Sequence, residues 1–259
     1  MSNVEQIYRQ CRLLIDEQVQ GVSHMDTKRL DTRLEGLPRY IVIIPTTNIW
    51  VERYIQTSGI STRIDVHIFR LPVLSISDEG SGSDTFSLIN FENILDHASL
   101  IKPDVVIWAG TSGSWLGSDF EEELLKKISV RAGAPAIGCF TSLIAELKEK
   151  ELDNIGLFTP YITPIHNRII KNISAHGFEV TDLGHLAIED NYSFSNVTCE
   201  RILSAAKSKL STSLRLIIPM CTNMVSCVMD EYLASHLACH VLDPTVCVFE
   251  RAARFIARR

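Results

Sequence analysis

The sequence predicts an α/β fold of two pseudo-symmetric lobes, each a parallel sheet flanked by helices, with a ligand site in the cleft between them. Three observations support this prediction. Strand-like and helix-like segments alternate along the chain from residue 40 onward. The strand-like segments are continuous apolar runs, which is typical of parallel strands that are covered on both faces. Two pairs of strand units also resemble each other at an offset of about 110 residues, which indicates a duplicated lobe.

The first half of the regular region contains four predicted strands and four predicted helices. The strands are the apolar runs at residues 40–44, 64–71, 104–109 and 136–139. The helices have helical spacing of apolar residues and lie at residues 49–58, 86–100, 120–132 and 141–150. Residues 75–85 are polar and contain two glycines, so we expect them to form a mobile lid.

The second half repeats this alternation of strands and helices. Its predicted strands lie at residues 155–158, 178–183, 214–218 and 240–242. Its predicted helices lie at residues 164–176, 197–210, 225–237 and from about residue 244 to the end. Residues 41–48 resemble residues 155–161, and residues 104–112 resemble residues 214–223. The second match places Gly110 opposite Cys221.

These patterns divide the chain into three parts. Residues 1–37 form a predicted N-terminal helical arm, suited to packing or to contacts in a homo-oligomer. The first α/β lobe comprises residues 38–150 plus 238–259, and the second comprises residues 151–237.

The composition limits the class of protein. Hydrophobic residues make up 46% and charged residues 22% of the chain, and the formal net charge is −6. This balance is typical of a soluble globular protein and disfavours nucleic acid as a partner. No apolar run is long enough to span a membrane. The seven cysteines show no zinc-binding spacing and follow no secretory signal, so we expect reduced thiols in a cytoplasmic protein.

The candidate site lies in the turns that follow the strands, because ligands of open parallel sheets bind beyond the carboxyl ends of the strands. Four turns are expected to converge there, at residues 45–48, 110–114, 159–161 and 221–223. Cys221 follows a short apolar strand and precedes a predicted helix, where backbone N–H groups lower the pKa of a thiol. The alternative is a cysteine that packs as a small hydrophobic side chain.

Hydroxyl and amide side chains accompany Cys221 in these turns. They are Thr111, Ser112, Tyr161, Thr222 and Asn223. Such donors suit a carboxylate, and an enediolate better still, because its charge is spread over two oxygens. The alternative for each threonine or serine is a helix N-cap. His166 lies on a predicted helix beyond Tyr161, and we expect it to be exposed.

Five short motifs together resemble the Asp/Glu racemase superfamily, and most closely its maleate cis–trans isomerase and arylmalonate decarboxylase branch. In chain order they are Pro45-Thr-Thr-Asn48, Gly110-Thr-Ser-Gly-Ser114, Thr159-Pro-Tyr161, Glu189-Asp-Asn191 and Cys221-Thr-Asn223. The resemblance covers about residues 38–259. It implies an enzyme that needs neither a metal nor an organic cofactor and that binds a small carboxylate or dicarboxylate in the cleft between its lobes.

The resemblance points to two reactions. The isomerases have a nucleophilic cysteine at the position of Gly110, whereas the decarboxylases have glycine there and keep only the cysteine that matches Cys221. The isomerases also bind substrate carboxylates through asparagines that match Asn48 and Asn191, and both are present here. The decarboxylases instead surround the departing carboxylate with apolar side chains, and Gly113 leaves that wall in question.

The preferred interpretation is a cofactor-independent decarboxylase that acts on a small dicarboxylic acid. Cys221 and Tyr161 are the predicted catalytic residues, with Cys221 protonating the enediolate from one face. Predicted substrate-binding residues are Asn48, Gly110, Thr111, Ser112, Asn191, Thr222 and Asn223. Gly110 is expected to leave room for a bulky substituent or for the departing group. The alternatives are a maleate isomerase-like enzyme that lacks the first cysteine, and an inactive diacid-binding protein.

Overall fold

Two parallel four-stranded sheets form the framework of the protein, in a computed structural model that describes residues 36–73, 86, 88–151, 154–209 and 214–259. The first sheet contains β1 (Arg39–Pro45), β2 (Asp65–Leu71), β3 (Val105–Trp108) and β4 (Ala136–Gly138). The second contains β5 (Asn154–Thr159), β6 (Glu179–His185), β7 (Leu216–Pro219) and β8 (His240–Val241). We call the sheets, with the helices that pack on them, the first and the second lobe.

Helices connect the strands of each lobe. Between the strands of the first sheet lie α1 (Trp50–Thr57), α2 (Leu88–Leu100), α3 (Gly113–Leu116) and α4 (Ser118–Ala132). The remaining helices are α5 (Cys139–Glu149), α6 (Thr163–Ser174), α7 (Cys199–Lys209), α8 (Asp230–Leu237) and α9 (Pro244–Ala257). Short 3-10 helices occur at Ile60–Thr62, Ser193–Asn196 and Val225–Val228. None of the helices in these ranges has the length and the apolar composition to cross a membrane.

The lobes have the same topology, which confirms the predicted duplication. The strand orders are β2-β1-β3-β4 and β6-β5-β7-β8, and every pair is parallel. Trp108 pairs with Ile43 at the end of β3, and Pro219 pairs with Phe158 at the end of β7. Trp108 and Pro219 are the last residues of β3 and β7, and the residues two positions beyond these strand ends are Gly110 and Cys221.

Each apolar run forms a strand because successive side chains point to opposite faces of the sheet and both of these faces are buried. In β1 the side chains of Ile41 and Ile43 enter one core cluster, whereas those of Val42 and Ile44 enter another on the opposite face. β-Branched residues pack well on such a pleated surface. The continuous hydrophobic pattern is therefore explained by a sheet that is covered on both sides.

The C-terminal part of the chain crosses between the lobes later than we predicted. Residues 238–259 were all assigned to the first lobe, but β8 pairs with β7 and therefore belongs to the second. The return to the first lobe is made by α9, which begins at the N-cap Asp243 and packs against α5 and β3. Two apolar residues on a lone short strand carry too little pattern to show which sheet they join.

Three local features also differ from the predictions. Residues 113–116 form the short helix α3, and Cys139 begins α5 rather than ending β4. The predicted helix at 225–237 is split into a 3-10 turn and α8. The predicted arm, except for its last two residues, and the predicted lid at 75–85 lie outside the described residues.

Candidate active site

A small cavity lies where the turns after β1, β3, β5 and β7 meet. Its volume is about 20 Å³. Eight of the nine predicted site residues line it: Gly110, Thr111, Ser112, Tyr161, Asn191, Cys221, Thr222 and Asn223. The other lining residues are Pro45, Val73, Phe86, Trp108 and Trp115. The sheet topology therefore brings together turns that are far apart in the sequence, as expected for the carboxyl ends of parallel strands.

Cys221 is a buried, protonated thiol at the end of β7. Its side chain is 2% exposed, and Asn223 N–H lies 3.4 Å from the sulfur. Burial raises the pKa of the thiol to about 12, although bonds from Tyr161 and the Asn223 N–H act in the opposite direction. Our expectation of a lowered pKa was therefore wrong. The chain does not enter an α-helix after Cys221, and desolvation outweighs the few N–H donors.

Tyr161 connects the thiol with the turn after β3. Its hydroxyl lies 2.7 Å from Thr111 Oγ1, and it also interacts with the Cys221 thiol. Its ring is held edge-on between Trp115, at 5.1 Å between centroids, and Phe194, at 5.0 Å. Burial raises the pKa of Tyr161 well above its ordinary value, so this hydroxyl stays neutral and can donate a hydrogen bond.

Ser112 is oriented by an indole. Trp108 Nε1–H donates to Ser112 Oγ over 3.2 Å, so the serine hydroxyl accepts from the ring and its own hydrogen remains available. The Thr111 carbonyl accepts from both Ser114 N and Ser114 Oγ, which fixes the turn that carries Thr111 and Ser112. Three hydroxyl groups, from Thr111, Ser112 and Tyr161, therefore lie on the wall of one cavity.

Gly110 does not leave the open space that we expected. A Cβ atom at this position would lie 2.2 Å from Cζ2 of Trp108 and 2.7 Å from two other atoms of its indole. The indole thus fills the space into which a side chain at residue 110 would project. In the duplicated fold this is the counterpart of the place that the Cys221 side chain occupies.

Aromatic and aliphatic side chains form one wall of the cavity. They are Pro45, Val73, Phe86, Trp108 and Trp115. The indole of Trp108 packs against Phe86 and Phe91, with centroid distances of 5.9 and 5.2 Å. We had doubted such a wall because of Gly113, but Gly113 faces the carboxylate of Glu121 instead. The apolar wall comes from other residues.

Asn48 holds the two lobes together and does not line the cavity. Its Nδ2 donates to Thr222 Oγ1 over 3.1 Å, and its Oδ1 accepts from Val51 N over 3.1 Å. The Thr222 hydroxyl in turn donates to the carbonyl of Ala109 over 3.0 Å. Both the nitrogen and the oxygen of the Asn48 amide therefore have a partner within the protein.

Asn191 and Asn223 extend these contacts between lobes. Asn191 Nδ2 donates to Thr47 Oγ1 over 2.7 Å, and Asn223 Nδ2 donates to the Asn191 carbonyl over 2.8 Å. Asn223 Oδ1 accepts from Ile49 N over 3.1 Å. We call Thr47, Asn48, Asn191, Thr222 and Asn223 the inter-lobe network. The amide groups of this network already form hydrogen bonds between turns of the protein, so fewer of their donors and acceptors remain for a ligand.

His166 and Glu121 are buried ionisable groups that lie outside the cavity. His166, which we expected to be exposed, is 0% exposed and lies 3.0 Å from both Thr159 Oγ1 and Asp182 Oδ1. Our expectation was wrong because these two partners satisfy both ring nitrogens. Glu121 accepts from Phe140 N and Thr141 N at the start of α5, and burial raises its pKa to about 7.

The residues that the sequence analysis missed are the apolar ones on the cavity wall. Trp108 carried a usable signal, because it precedes Gly110 by two positions and side chains two apart on an extended chain share a face. Val73 and Phe86 carried none, since their distance from the other turns in the sequence hides their proximity. Among the described residues, no group of three or more His, Cys, Asp or Glu side chains could hold a metal ion.

Comparisons with known proteins identify relatives of this chain. The family model for arylmalonate decarboxylase matches residues 91–234. Maleate isomerase from Nocardia farcinica is 23% identical over 209 residues, which make up 76% of this chain and 81% of that protein.

Two solved structures share the fold. A maleate isomerase variant from Pseudomonas putida S16 with maleate has a TM-score of 0.74 at 17% identity, covering 82% of this chain and 89% of its own. Arylmalonate decarboxylase has a TM-score of 0.67 at 16% identity, covering 84% and 92%. Because the family model spans more than half of the sequence, this chain belongs to the arylmalonate decarboxylase family of the Asp/Glu racemase superfamily, whose members are cofactor-free decarboxylases and isomerases.

Proposed function

We propose that this protein decarboxylates a small dicarboxylic acid and that Cys221 protonates the resulting enediolate from one face. The observation that carries the proposal is the asymmetry of the cavity. The second lobe contributes a thiol, whereas the first lobe contributes the Trp108 indole at the counterpart position, within an apolar wall. The cavity therefore has a thiol on one side, which can act as the acid, and an apolar surface on the other.

One carboxylate of the substrate would accept hydrogen bonds from Thr111, Ser112 and Tyr161. The Tyr161 hydroxyl lies 2.7 Å from Thr111 Oγ1 and also interacts with the Cys221 thiol, so a bound carboxylate would replace these contacts as the acceptor of both hydroxyl hydrogens. Ser112 adds a third hydrogen because its oxygen accepts from Trp108. Donors that are oriented before the reaction stabilise the charge that develops on the two oxygens, and each is worth about 10²- to 10³-fold in kcat.

The other carboxylate would lie against the apolar wall. Burial of a charged carboxylate without partners is unfavourable, and loss of carbon dioxide removes that charge from the wall. The carbon–carbon bond breaks, its electron pair passes into the retained carboxylate to form the enediolate, and carbon dioxide leaves. The negative charge thus moves from the apolar wall to the three hydroxyl donors.

Protonation completes the reaction. The Cys221 S–H proton is transferred to the α-carbon of the enediolate, which regenerates the retained carboxylate and leaves a thiolate. A solvent proton then restores the thiol. Burial raises the thiol pKa to about 12, so the acid form needed for this step is present at neutral pH. The same burial disfavours an attacking thiolate.

Isomerisation of a cis diacid is the second candidate. It is favoured by the sequence likeness to maleate isomerase over 76% of this chain and by the presence of Asn191 on the cavity wall. In this mechanism Cys221 would add to the double bond as a thiolate, which requires that substrate binding lower its pKa. Asn48, the second asparagine expected to hold the diacid, is occupied by Thr222 and Val51.

The two functions are separated by their products. Malonate and methylmalonate are incubated with the protein and carbon dioxide is measured, while maleate is incubated in parallel and fumarate is measured. Decarboxylation predicts carbon dioxide from at least one malonate and no fumarate. Fumarate formation without carbon dioxide release would refute the decarboxylase and support the isomerase.

Two cysteine variants test the role of the thiol. We expect Cys221→Ser to lower kcat by about 10²- to 10⁴-fold, the range for loss of a general acid. Cys227→Ser is the matched control, since Cys227 is equally buried but does not line the cavity. Full activity of Cys221→Ser on a turned-over substrate would exclude Cys221 as the proton donor.

A further inference from the structure

We propose that Trp108 sets the substrate size and restricts the enzyme to malonates whose α-substituent is no larger than a methyl group. This inference rests on the proposed function, because the α-substituent would share the apolar side of the cavity with the departing carboxylate. Trp108 is the last residue of β3 and lies outside the five motifs.

The indole of Trp108 occupies the space beside Gly110. Its Cζ2 lies 2.2 Å from where a Cβ of Gly110 would be, so the ring covers the Cα of Gly110 on the cavity side. Glycine at residue 110 therefore does not create a pocket here. It accommodates a ring contributed by the preceding strand.

The indole of Trp108 is firmly held by its neighbours. Trp108 is 0% exposed, and its centroid lies 5.2 Å from that of Phe91 in an edge-on contact and 5.9 Å from that of Phe86. Its Nε1–H is bonded to Ser112. Movement of the ring would break this bond and disturb two aromatic contacts, so a ligand cannot displace the indole without also releasing Ser112.

The cavity has little free space for a substituent. A water molecule needs about 10–15 Å³ of such space, and the cavity offers about 20 Å³. A diacid already exceeds this volume, so its binding moves some side chains of the wall. Each carbon added at the α-position increases that movement, and a phenyl ring directed at residue 110 would meet the fixed indole.

The test compares substrates of increasing size on two variants and a control. Carbon dioxide release is measured with malonate, methylmalonate and phenylmalonate for the wild type, Trp108→Leu and Trp108→Phe. Trp50→Leu is the control, because Trp50 is bonded to the Ser195 carbonyl and does not line the cavity. Circular dichroism establishes that each variant is folded.

We expect the wild type to prefer methylmalonate over phenylmalonate, and Trp108→Leu to reduce this ratio of kcat/KM by about 10- to 200-fold. Trp108→Phe should reduce it less, because a smaller ring still covers Gly110, while Trp50→Leu should leave it unchanged. An unchanged ratio in folded Trp108→Leu and Trp108→Phe would overturn the proposal. So would wild-type activity on phenylmalonate equal to that on methylmalonate.

Binding of the products makes the test independent of turnover. Dissociation constants for propionate and phenylacetate are measured by calorimetry for the same four proteins. If no malonate is decarboxylated, the proposed function fails, but tighter phenylacetate binding by Trp108→Leu still supports Trp108 as the size determinant. If malonates are turned over and neither selectivity changes, the proposed function stands and the inference about Trp108 is refuted.

Discussion

A second thiol introduced at Gly110 would clash with the indole of Trp108. The Cβ of Gly110→Cys would lie 2.2 Å from the indole, whereas ordinary contacts begin at 3.4 Å, so the ring must shift by about 1 Å. Overpacking of a held side chain costs about 3 kcal/mol, and loss of the indole bond to Ser112 adds about 1 kcal/mol. We therefore expect Gly110→Cys to lower the free energy of unfolding by about 3–4 kcal/mol.

A double-mutant cycle isolates this clash. Trp108→Leu alone should cost about 3 kcal/mol, because it leaves a cavity in the aromatic cluster. In the Trp108→Leu background the added cysteine fills part of that cavity. The double variant should therefore also lose only about 3–4 kcal/mol, against about 6–7 kcal/mol for the sum of the single variants, which gives a coupling of about 3 kcal/mol between the two positions.

The assay is urea unfolding followed by circular dichroism, since tryptophan fluorescence changes with the substitutions. Trp115→Leu provides the control background, because Trp115 lines the same cavity but is not among the nearest atoms to the added Cβ. There the effect of Gly110→Cys should be additive within about 0.5 kcal/mol. Additivity in the Trp108→Leu background, or a Gly110→Cys variant as stable as the wild type, would refute the account of the indole.

Four further predictions concern titration, the inter-lobe network and stereochemistry. The Cys221 thiol has a pKa of about 12 in the folded protein and 9.0 in the unfolded chain, so its contribution to stability is complete below pH 9 and is lost as the pH rises toward about 12. The thiolate absorbance of the wild type, compared with that of Cys221→Ala, measures the pKa of the folded thiol. Burial likewise raises the pKa of the Glu121 carboxyl to about 7, so stability falls as the pH rises from 4.5 to about 7. Glu121→Gln should weaken this pH dependence of the unfolding free energy and leave the part due to Asp243, whose pKa is also raised to about 7. Asn48→Ala should lower the unfolding free energy by about 1–3 kcal/mol because Val51 N–H and Thr222 lose a partner, and should change KM little if Asn48 does not touch the substrate. Methylmalonate turned over in heavy water should give one enantiomer of deuterated propionate, because one thiol protonates one face; a racemic product would contradict the single donor.

The duplicated architecture could be predicted because parallel strands record their burial in the sequence. Both faces of β1, β3, β5 and β7 are covered, so each reads as an uninterrupted apolar run, and the turn after each run is easy to locate. The rule that ligands bind beyond the carboxyl ends of such strands then selects the turns that line this cavity. This is why eight of the nine predicted residues line one cavity.

The local surroundings of these residues could not be predicted in the same way. Nothing in a sequence distinguishes an asparagine that meets a ligand from one whose amide is bonded inside the protein, as Asn48 is. The pKa of Cys221 depends on how completely the thiol is desolvated, which is a property of the packed cavity. The burial of His166 depends on Thr159 and Asp182, which lie on two different strands.

The asymmetry of the cavity arises from a strand residue rather than from the turns themselves. The two lobes end β3 and β7 in register, with Trp108 and Pro219 as counterparts, and the residue two positions later faces the cavity in each. Pro219 has a short ring, and a cysteine side chain follows it; Trp108 has a long ring that covers its own Gly110. A single large residue at the end of β3 thus excludes a side chain at residue 110, supplies part of an apolar wall and orients Ser112. The two similar backbones therefore place a thiol and an apolar surface on opposing lobes, which is the arrangement that the proposed one-sided protonation requires.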